Sequence, residues 1–325
     1  MKIKKQLYPL KFTPILKEKV WGGNKLSTLF NKENLDSIGE SWEISGVHEN
    51  ISVVSNGILK GTTLNQLIDT FKGKLIGEKV YQEFGNTFPL LFKFIDAKED
   101  LSVQLHPNDT LAKERHQSFG KTEMWYILDS EEEARLILGF NSEMNETIYK
   151  NHLENNTLTE ILHSEKVTKG DSYFIAPGTI HAIGSGVVLA EIQQTSDITY
   201  RVFDWDRPGI DGELRELHND LALDAINFEP NEAKLDYVEQ INTPFQLCKS
   251  PYFITNKLVL SEKIKRDVSK IDSFVVYMCV EGEATIKTKG ASEKIVKGET
   301  ILIPSAIKKL RIKTNQATFL EVYMP

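Results

Sequence analysis

Tyr173-Phe174-Ile175-Ala176-Pro177-Gly178-Thr179-Ile180-His181 reads as a β-strand that runs into a tight Pro-Gly turn and delivers one histidine. Two segments upstream have the same style, Gln104-Leu105-His106 and Lys121-Thr122-Glu123. Gln104 and His106 are two apart, so on a strand both point to one face and Leu105 to the other. Glu123 opens the next strand and can face the same interior. Two His, one Glu and one Gln make a plausible shell for one divalent metal. Ligands placed on strands far apart in sequence point to a pocket inside a β-barrel.

Working outward, the turn recurs. Lys169-Gly170-Asp171 through Pro177-Gly178-Thr179-Ile180-His181 resembles Lys297-Gly298-Glu299 through Pro304-Ser305-Ala306-Ile307-Lys308. Thr122 to Leu128 similarly matches Ser273 to Cys279, a short match that is one residue out of step. In this comparison Lys308 stands where His181 does, and Phe274 where Glu123 does. Two related barrels are therefore expected, only the first holding metal. The fold class is mainly β, with helical insertions at about 62–84, 143–163 and 213–226. In the last of these Leu214, Leu217, Leu221 and Ile226 would point inward; in the second, Ile148, Leu153, Leu158 and Ile161. Thr63 is a candidate helix cap. Pro230 and the charged stretch to Asp236 mark the expected boundary between a catalytic unit, 1–235, and a C-terminal unit, 236–325.

Composition narrows the partners. The chain has 325 residues, 40% hydrophobic and 26% charged, and a net charge of −7. That charge argues against a nucleic-acid partner, which needs a basic face. No run of 18 apolar residues occurs, and the basic start, Met1 to Gln6, has no apolar stretch behind it. Two cysteines, Cys248 and Cys279, sit among apolar neighbours and suit free thiols in a reducing cytoplasm.

Zinc accepts imidazole and carboxylate, and catalytic sites keep a position open. His106, Glu123 and His181 fit that pattern, with the Gln104 amide oxygen as a weaker fourth donor; the donor chemistry equally permits Mn or Fe(II). Past His181, the alternation of Glu191, Gln193 and Thr195 sets all three on one face. Glu191 and Arg201 near a metal could move a proton and stabilise a developing oxyanion, and Lys121 could meet an anionic substrate. Each residue also has a plain structural explanation, so the set carries the weight.

Gln104-Leu105-His106-Pro107, Lys121-Thr122-Glu123-Met124-Trp125, Pro177 to Ala182, and Gln194-Thr195-Ser196-Asp197-Ile198-Thr199-Tyr200-Arg201 resemble type I mannose-6-phosphate isomerase in its short bacterial form. Lys19-Val20-Trp21-Gly22-Gly23 and Glu40 to Ser45 add to the likeness. The resemblance implies two cupin (jelly-roll) domains and one zinc per chain, held by Gln104, His106, Glu123 and His181. It implies interconversion of mannose 6-phosphate and fructose 6-phosphate, a phosphosugar substrate, and a monomer or homodimer. It points to Arg201, Lys121 and Glu191 as catalytic residues, with Lys121 and backbone N–H groups beside the phosphate. Glu191, metal-bound water and Lys121 are all open as the proton carrier. Ile183 stands where long-form members carry an aromatic residue. A cupin oxygenase and a non-catalytic sugar-binding cupin are the alternatives.

Overall fold

The computed structural model describes residues 6–33, 37–230 and 232–325; the basic stretch Met1–Lys5 lies outside them. In chain order the first elements are β1 (Ile15–Gly23), α1 (Lys25–Phe30), β2 (Ile38–Ile44), α2 (Leu64–Phe71), α3 (Gly73–Ile76), α4 (Glu78–Phe84), β3 (Leu90–Ala97), β4 (Val103–Leu105), α5 (Asp109–His116), β5 (Glu123–Ser130), β6 (Arg135–Phe140) and α6 (Glu146–Glu154). There follow β7 (Leu162–Lys166), β8 (Ser172–Ile175), β9 (His181–Ile183), β10 (Val187–Gln194), β11 (Tyr200–Phe203) and α7 (Asn219–Leu223). The remainder is all strand: β12 (Phe245–Lys249), β13 (Ile254–Leu260), β14 (Ile264–Asp267), β15 (Val275–Thr288), β16 (Ala291–Val296), β17 (Thr300–Ile303) and β18 (Lys309–Tyr323).

Two antiparallel sheets build the first barrel. One has the order β1-β2-β3-β10-β5-β8, the other β11-β4-β9-β6-β7. Central strands β3 and β10 are buried at every position, which is why Leu90 to Ile95 reads as an almost unbroken apolar run. Trp125, Ile127 and Leu189 of the first sheet meet Leu136, Leu138 and Ile183 of the second to fill the interior. The second barrel uses the order β12-β13-β18-β15-β16, with β14 added to β18 and β17 to β15. Its long strands β15 and β18 lose register between Cys279 and Glu281 and again between Glu283 and Thr285. Such bulges bend a strand and let its two halves serve different sheet faces.

The back of the six-stranded sheet (Phe92, Phe94, Met124, Tyr126, Ile192) and the back of the second barrel (Val276, Met278, Leu320, Val322) share one core with Leu64, Leu67 and Ile68 of α2. The backs of β4, β9 and β11 pack instead on Tyr149 of α6 and Ala222 of α7. The outer faces of both sheets of the first barrel are thus packed, and its interior holds the apolar cluster around Trp125 beside the buried polar residues His106, Glu123, His181 and Glu191.

The helical insertions differ from expectation in detail. Residues 62–84 form three helices, the first capped by Thr63 in a reciprocal box with Gln66. Helix α6 stops at Glu154, Asn156 is left-handed with φ +56°, and Tyr149 rather than the 40%-exposed Ile148 is the buried residue. Of 213–226 only Asn219–Leu223 is helical. Leu214, at 70% exposure, does not point inward. Residues before α7 are held extended because Glu216 O accepts from Arg201 Nη1 and His218 N donates to Arg201 O. Helix α1, just after the Trp21-Gly22-Gly23 segment, was not expected.

Candidate metal centre and cavity

His106, Glu123 and His181 converge inside the first barrel. All three are 1% exposed, and one ligand atom from each lies within 4.8 Å of the others. The six-stranded sheet supplies Glu123 from the first position of β5. The facing sheet supplies His106, one residue past β4, and His181, the first residue of β9. The Pro-Gly turn explains the placement. Gly178 adopts φ +83°, and a Cβ there would stand 2.5 Å from Ala225 O. Its N–H donates to His106 O, so the turn that delivers one histidine also fixes the other.

Each imidazole is oriented for ligation. His106 Nδ1 bonds Ile198 O and His181 Nδ1 bonds Thr179 O, each at 2.8 Å. A carbonyl only accepts, so Nδ1 carries the proton and Nε2 presents its lone pair. Burial, reinforced by the charge of Lys121, pulls His106 down to about 3 against the pull of Glu123. His181 is lowered chiefly by burial as well. Both rings are therefore neutral at physiological pH. Burial pushes Glu123 up, but Lys121 and the two histidines outweigh it and hold the carboxyl well below its usual range. His106 Nε2, His181 Nε2 and both Glu123 oxygens are buried without a hydrogen bond among the described residues, although Glu123 Oε1 lies 3.0 Å from Lys121 Nζ and 3.3 Å from His106 Nε2. Native interiors rarely leave four such atoms together, and a divalent cation would satisfy all of them.

Gln104 stands in register between His181 on β9 and Arg201 on β11. Its Oε1 accepts from Ser102 Oγ at 3.3 Å, and Ser102 Oγ accepts from Arg201 Nε at 3.3 Å. The inner rows of the two sheets border a cavity of about 140 Å³, lined among others by Gln104, Lys121, Trp125, Ile183, Glu191 and Arg201. The structure therefore brings Gln104 and the three expected catalytic residues to one cavity beside the histidine–glutamate cluster. Lys121 is 5% exposed, not a solvated surface lysine, and sits 3.0 Å from Glu123 Oε1. Glu191 accepts from Lys93 Nζ at 2.7 Å and from Trp125 Nε1 at 3.0 Å. Burial and the nearby Glu123 charge raise its pKa despite Lys93 and Lys121. Arg201 is lowered by burial and by the neighbouring Arg215.

Several cavity residues were not singled out from sequence. Lys93, Glu40, Lys19, Ser102 and Arg215 all line it. Lys93 did carry a signal, since it is the lone cation in the apolar run Leu90 to Ile95, and a fully buried lysine is almost always paired. Glu40 accepts from Trp42 Nε1 at 2.7 Å; burial raises it, but Lys93, Lys19 and this hydrogen bond bring it down to about 2.

Comparison with known proteins agrees with this geometry. Residues 9–133 match the family model for the phosphomannose isomerase type I catalytic domain, and residues 244–324 that for the mannose-6-phosphate isomerase cupin domain. Mannose-6-phosphate isomerase ManA of Bacillus subtilis is 34% identical over 94% of this chain and 96% of its own length. The Streptococcus mutans mannose-6-phosphate isomerase is 32% identical over 92% and 93%. The crystal structure of the mannose 6-phosphate isomerase from Bacillus subtilis superimposes with a TM-score of 0.89 at 31% identity, covering 98% of this chain and 100% of that one. A structure from Archaeoglobus fulgidus shares the fold at a TM-score of 0.80 and 18% identity. With near-full-length identity above 30% and both halves matched in order, the chain belongs to the type I phosphomannose isomerase family.

Proposed function

We infer that this chain interconverts mannose 6-phosphate and fructose 6-phosphate at a metal site, with zinc as the metal. Family membership supports the activity, and the cluster of four buried donor atoms without a hydrogen bond, beside a polar cavity, supports the metal. His106, Glu123 and His181 would hold the ion, with Gln104 as a fourth donor from the neighbouring strand. Bound there, zinc supplies Lewis-acid polarisation of a sugar oxygen and a fixed orientation for the substrate.

The remaining chemistry belongs to side chains of this chain. The reaction moves a proton between two adjacent carbons and passes through an enediol, so it needs a base and a cation near the oxygens. Arg201 keeps its charge throughout and suits the developing oxyanion. Glu191 is our choice of proton carrier. It lines the cavity, its Oε1 and Oε2 are fixed by Lys93 and Trp125, and its raised pKa brings it nearer the range that general acid–base work requires. Lys121 holds the charge of Glu123 and presents an ammonium at the same wall. Burial of Trp125 and Ile183 keeps the reacting end dry.

No helix among the described residues is long and apolar enough to cross a membrane. Free, buried Cys248 and Cys279, both pushed by burial to about 12, suit a reducing cytoplasm. The test is a coupled assay for fructose 6-phosphate formed from mannose 6-phosphate, run on zinc-loaded and chelator-treated protein. Turnover in the loaded form and its loss on chelation are expected. Absence of turnover in a zinc-replete sample refutes the reading.

A further inference from the structure

We propose that Arg215, carried to the cavity by the loop 204–218, binds the phosphate of the sugar phosphate and sets the preference for phosphorylated over free sugar. The proposal rests on the isomerase reading and revises the expectation that Lys121 meets the phosphate.

The first support is the pairing of the cavity cations. Lys121 lies 3.0 Å from Glu123, Lys93 2.7 Å from Glu191 and Lys19 3.5 Å from Glu40. Each is matched by a carboxylate. Arg201 has no carboxylate partner among the described residues; Nε donates to Ser102 Oγ and Nη1 to Glu216 O. Arg215 donates to Asp204 through Nε, at 2.6 Å, and Nη2, which leaves Nη1 without a hydrogen bond among the described residues. Asp204 is shared with Arg207 at 3.4 Å, and Arg207 also reaches the exposed Glu99. Arg207 and Arg215 thus share one buried carboxylate. Arg201 and Arg215 border the same cavity, and the charge of Arg215 disfavours that of Arg201, a repulsion that a bound anion would relieve; a planar guanidinium suits a phosphate.

Position is the second support. Arg201, Gln104 and His181 form one row across β11, β4 and β9, so two strand spacings, roughly 9–10 Å, separate the Arg201 and His181 backbones. A sugar whose first two carbons lie between the metal-site residues and Arg201 carries its phosphate on the far carbon, past Arg201 and toward Arg215 on the same cavity. Lys121, beside Glu123, is at the reacting end instead.

The loop itself is the third. Trp205 and Asp206, neither of them glycine, adopt φ +59° and +50° immediately after β11. The Trp205 indole is tied to Leu101 O at 2.8 Å. Such a strained pair persists where the surroundings enforce it, commonly at a ligand clamp. It turns the chain back so that Arg215 returns to the cavity that Arg201 borders.

The test compares wild type, Arg215→Ala and Arg215→Lys, each checked for metal content and melting temperature. For Arg215→Ala, KM for mannose 6-phosphate is expected to rise at least tenfold, more than kcat falls, as loss of binding common to substrate and transition state requires. Affinity for inorganic phosphate, measured by calorimetry on metal-loaded protein, is expected to weaken in parallel, and Arg215→Lys to recover part of both. A KM within twofold of wild type with unchanged phosphate affinity overturns the proposal. If Arg215→Ala melts early, Arg215→Gln, which can still donate to Asp204, is held to the same limits. Should wild type fail to turn over mannose 6-phosphate, the isomerase reading falls, while the phosphate calorimetry still decides the role of Arg215.

Discussion

The two barrels bury the same residue type at the same place and use it differently. In the first, Glu191 lies in register between Lys93 and Trp125; in the second, Glu321 lies between Asn256 and Tyr277. Glu321 is fully closed. It accepts from Asn256 at 3.0 Å, Tyr277 at 2.7 Å, and Arg266 through Nη2 at 2.7 Å and Nε at 2.9 Å. Among the described residues Glu191 has only the lysine and the indole as hydrogen-bond donors, and a cavity on its open side. The next pair along the strands divides the barrels further, with Glu123 opposite Ile175 in one and Val275 opposite Ile303 in the other. An inward carboxylate given its full complement of donors becomes scaffold. Given fewer donors, beside a cluster of atoms that could hold a metal ion, it is left available for chemistry.

The comparison breaks most sharply at the equivalent turns. His181→Ala is expected to strip the metal and lower turnover by about a thousandfold or more, whereas Lys308→Ala should leave metal content, by atomic absorption, and turnover unchanged. Equal metal retention in both variants would mean that His181 is not a ligand. At the paired glutamates the effects should separate by kind. Glu191→Gln is expected to lower kcat by about 10²–10⁴. Glu321→Gln, which leaves Arg266 buried without its partner, should cost about 3–5 kcal/mol in urea unfolding with kcat of the folded protein intact.

A third contrast uses acid. The Glu40 carboxyl is held at about 2, below its ordinary 4.5. A depressed carboxyl contributes stability that is complete above the unfolded value and disappears as pH falls through the folded one, here from about pH 4.5 toward 2. The gap in stability between wild type and Glu40→Gln should therefore be on the order of 3 kcal/mol near neutrality and narrow over that window. A gap independent of pH would show that the Lys93 and Lys19 charges do not act on it. The smallest effect lies outside both barrels. Thr63→Ala removes the cap of α2 and should cost about 1 kcal/mol of stability without changing KM.

Legibility followed the physical origin of each feature. The convergence of His106, Glu123 and His181 was readable because a metal site would demand particular residue types and a turn to deliver them. Both barrels were readable from the repeated turn. The pairing of Glu123 with Phe274 was one residue off: the register sets Val275 in the equivalent place, and Phe274 packs outward against Phe88 at 4.6 Å. Strands buried on both faces carry no alternation to fix their parity. Leu214 and Leu217 had helical spacing, but the hydrogen bonds of Arg201 to the backbone of Glu216 and His218 took precedence over it. Arg215 gave no signal, because its neighbours in space come from a loop whose path no local pattern specifies.

The connector between the barrels does more than join them. Phe174 N donates to Ala233 O and Leu235 N to Ser172 O, so this stretch lies along β8, the last strand of the six-stranded sheet. Tyr237 then donates to Gly170 O, and Lys257 of β13 donates to Tyr237 and Glu239. A bare strand edge is a template for another chain. Here the chain's own boundary segment occupies that edge and is pinned from the second barrel. Cutting the protein between residues 235 and 236 would therefore leave the covering segment on that edge but remove the Tyr237 and Lys257 contacts that pin it.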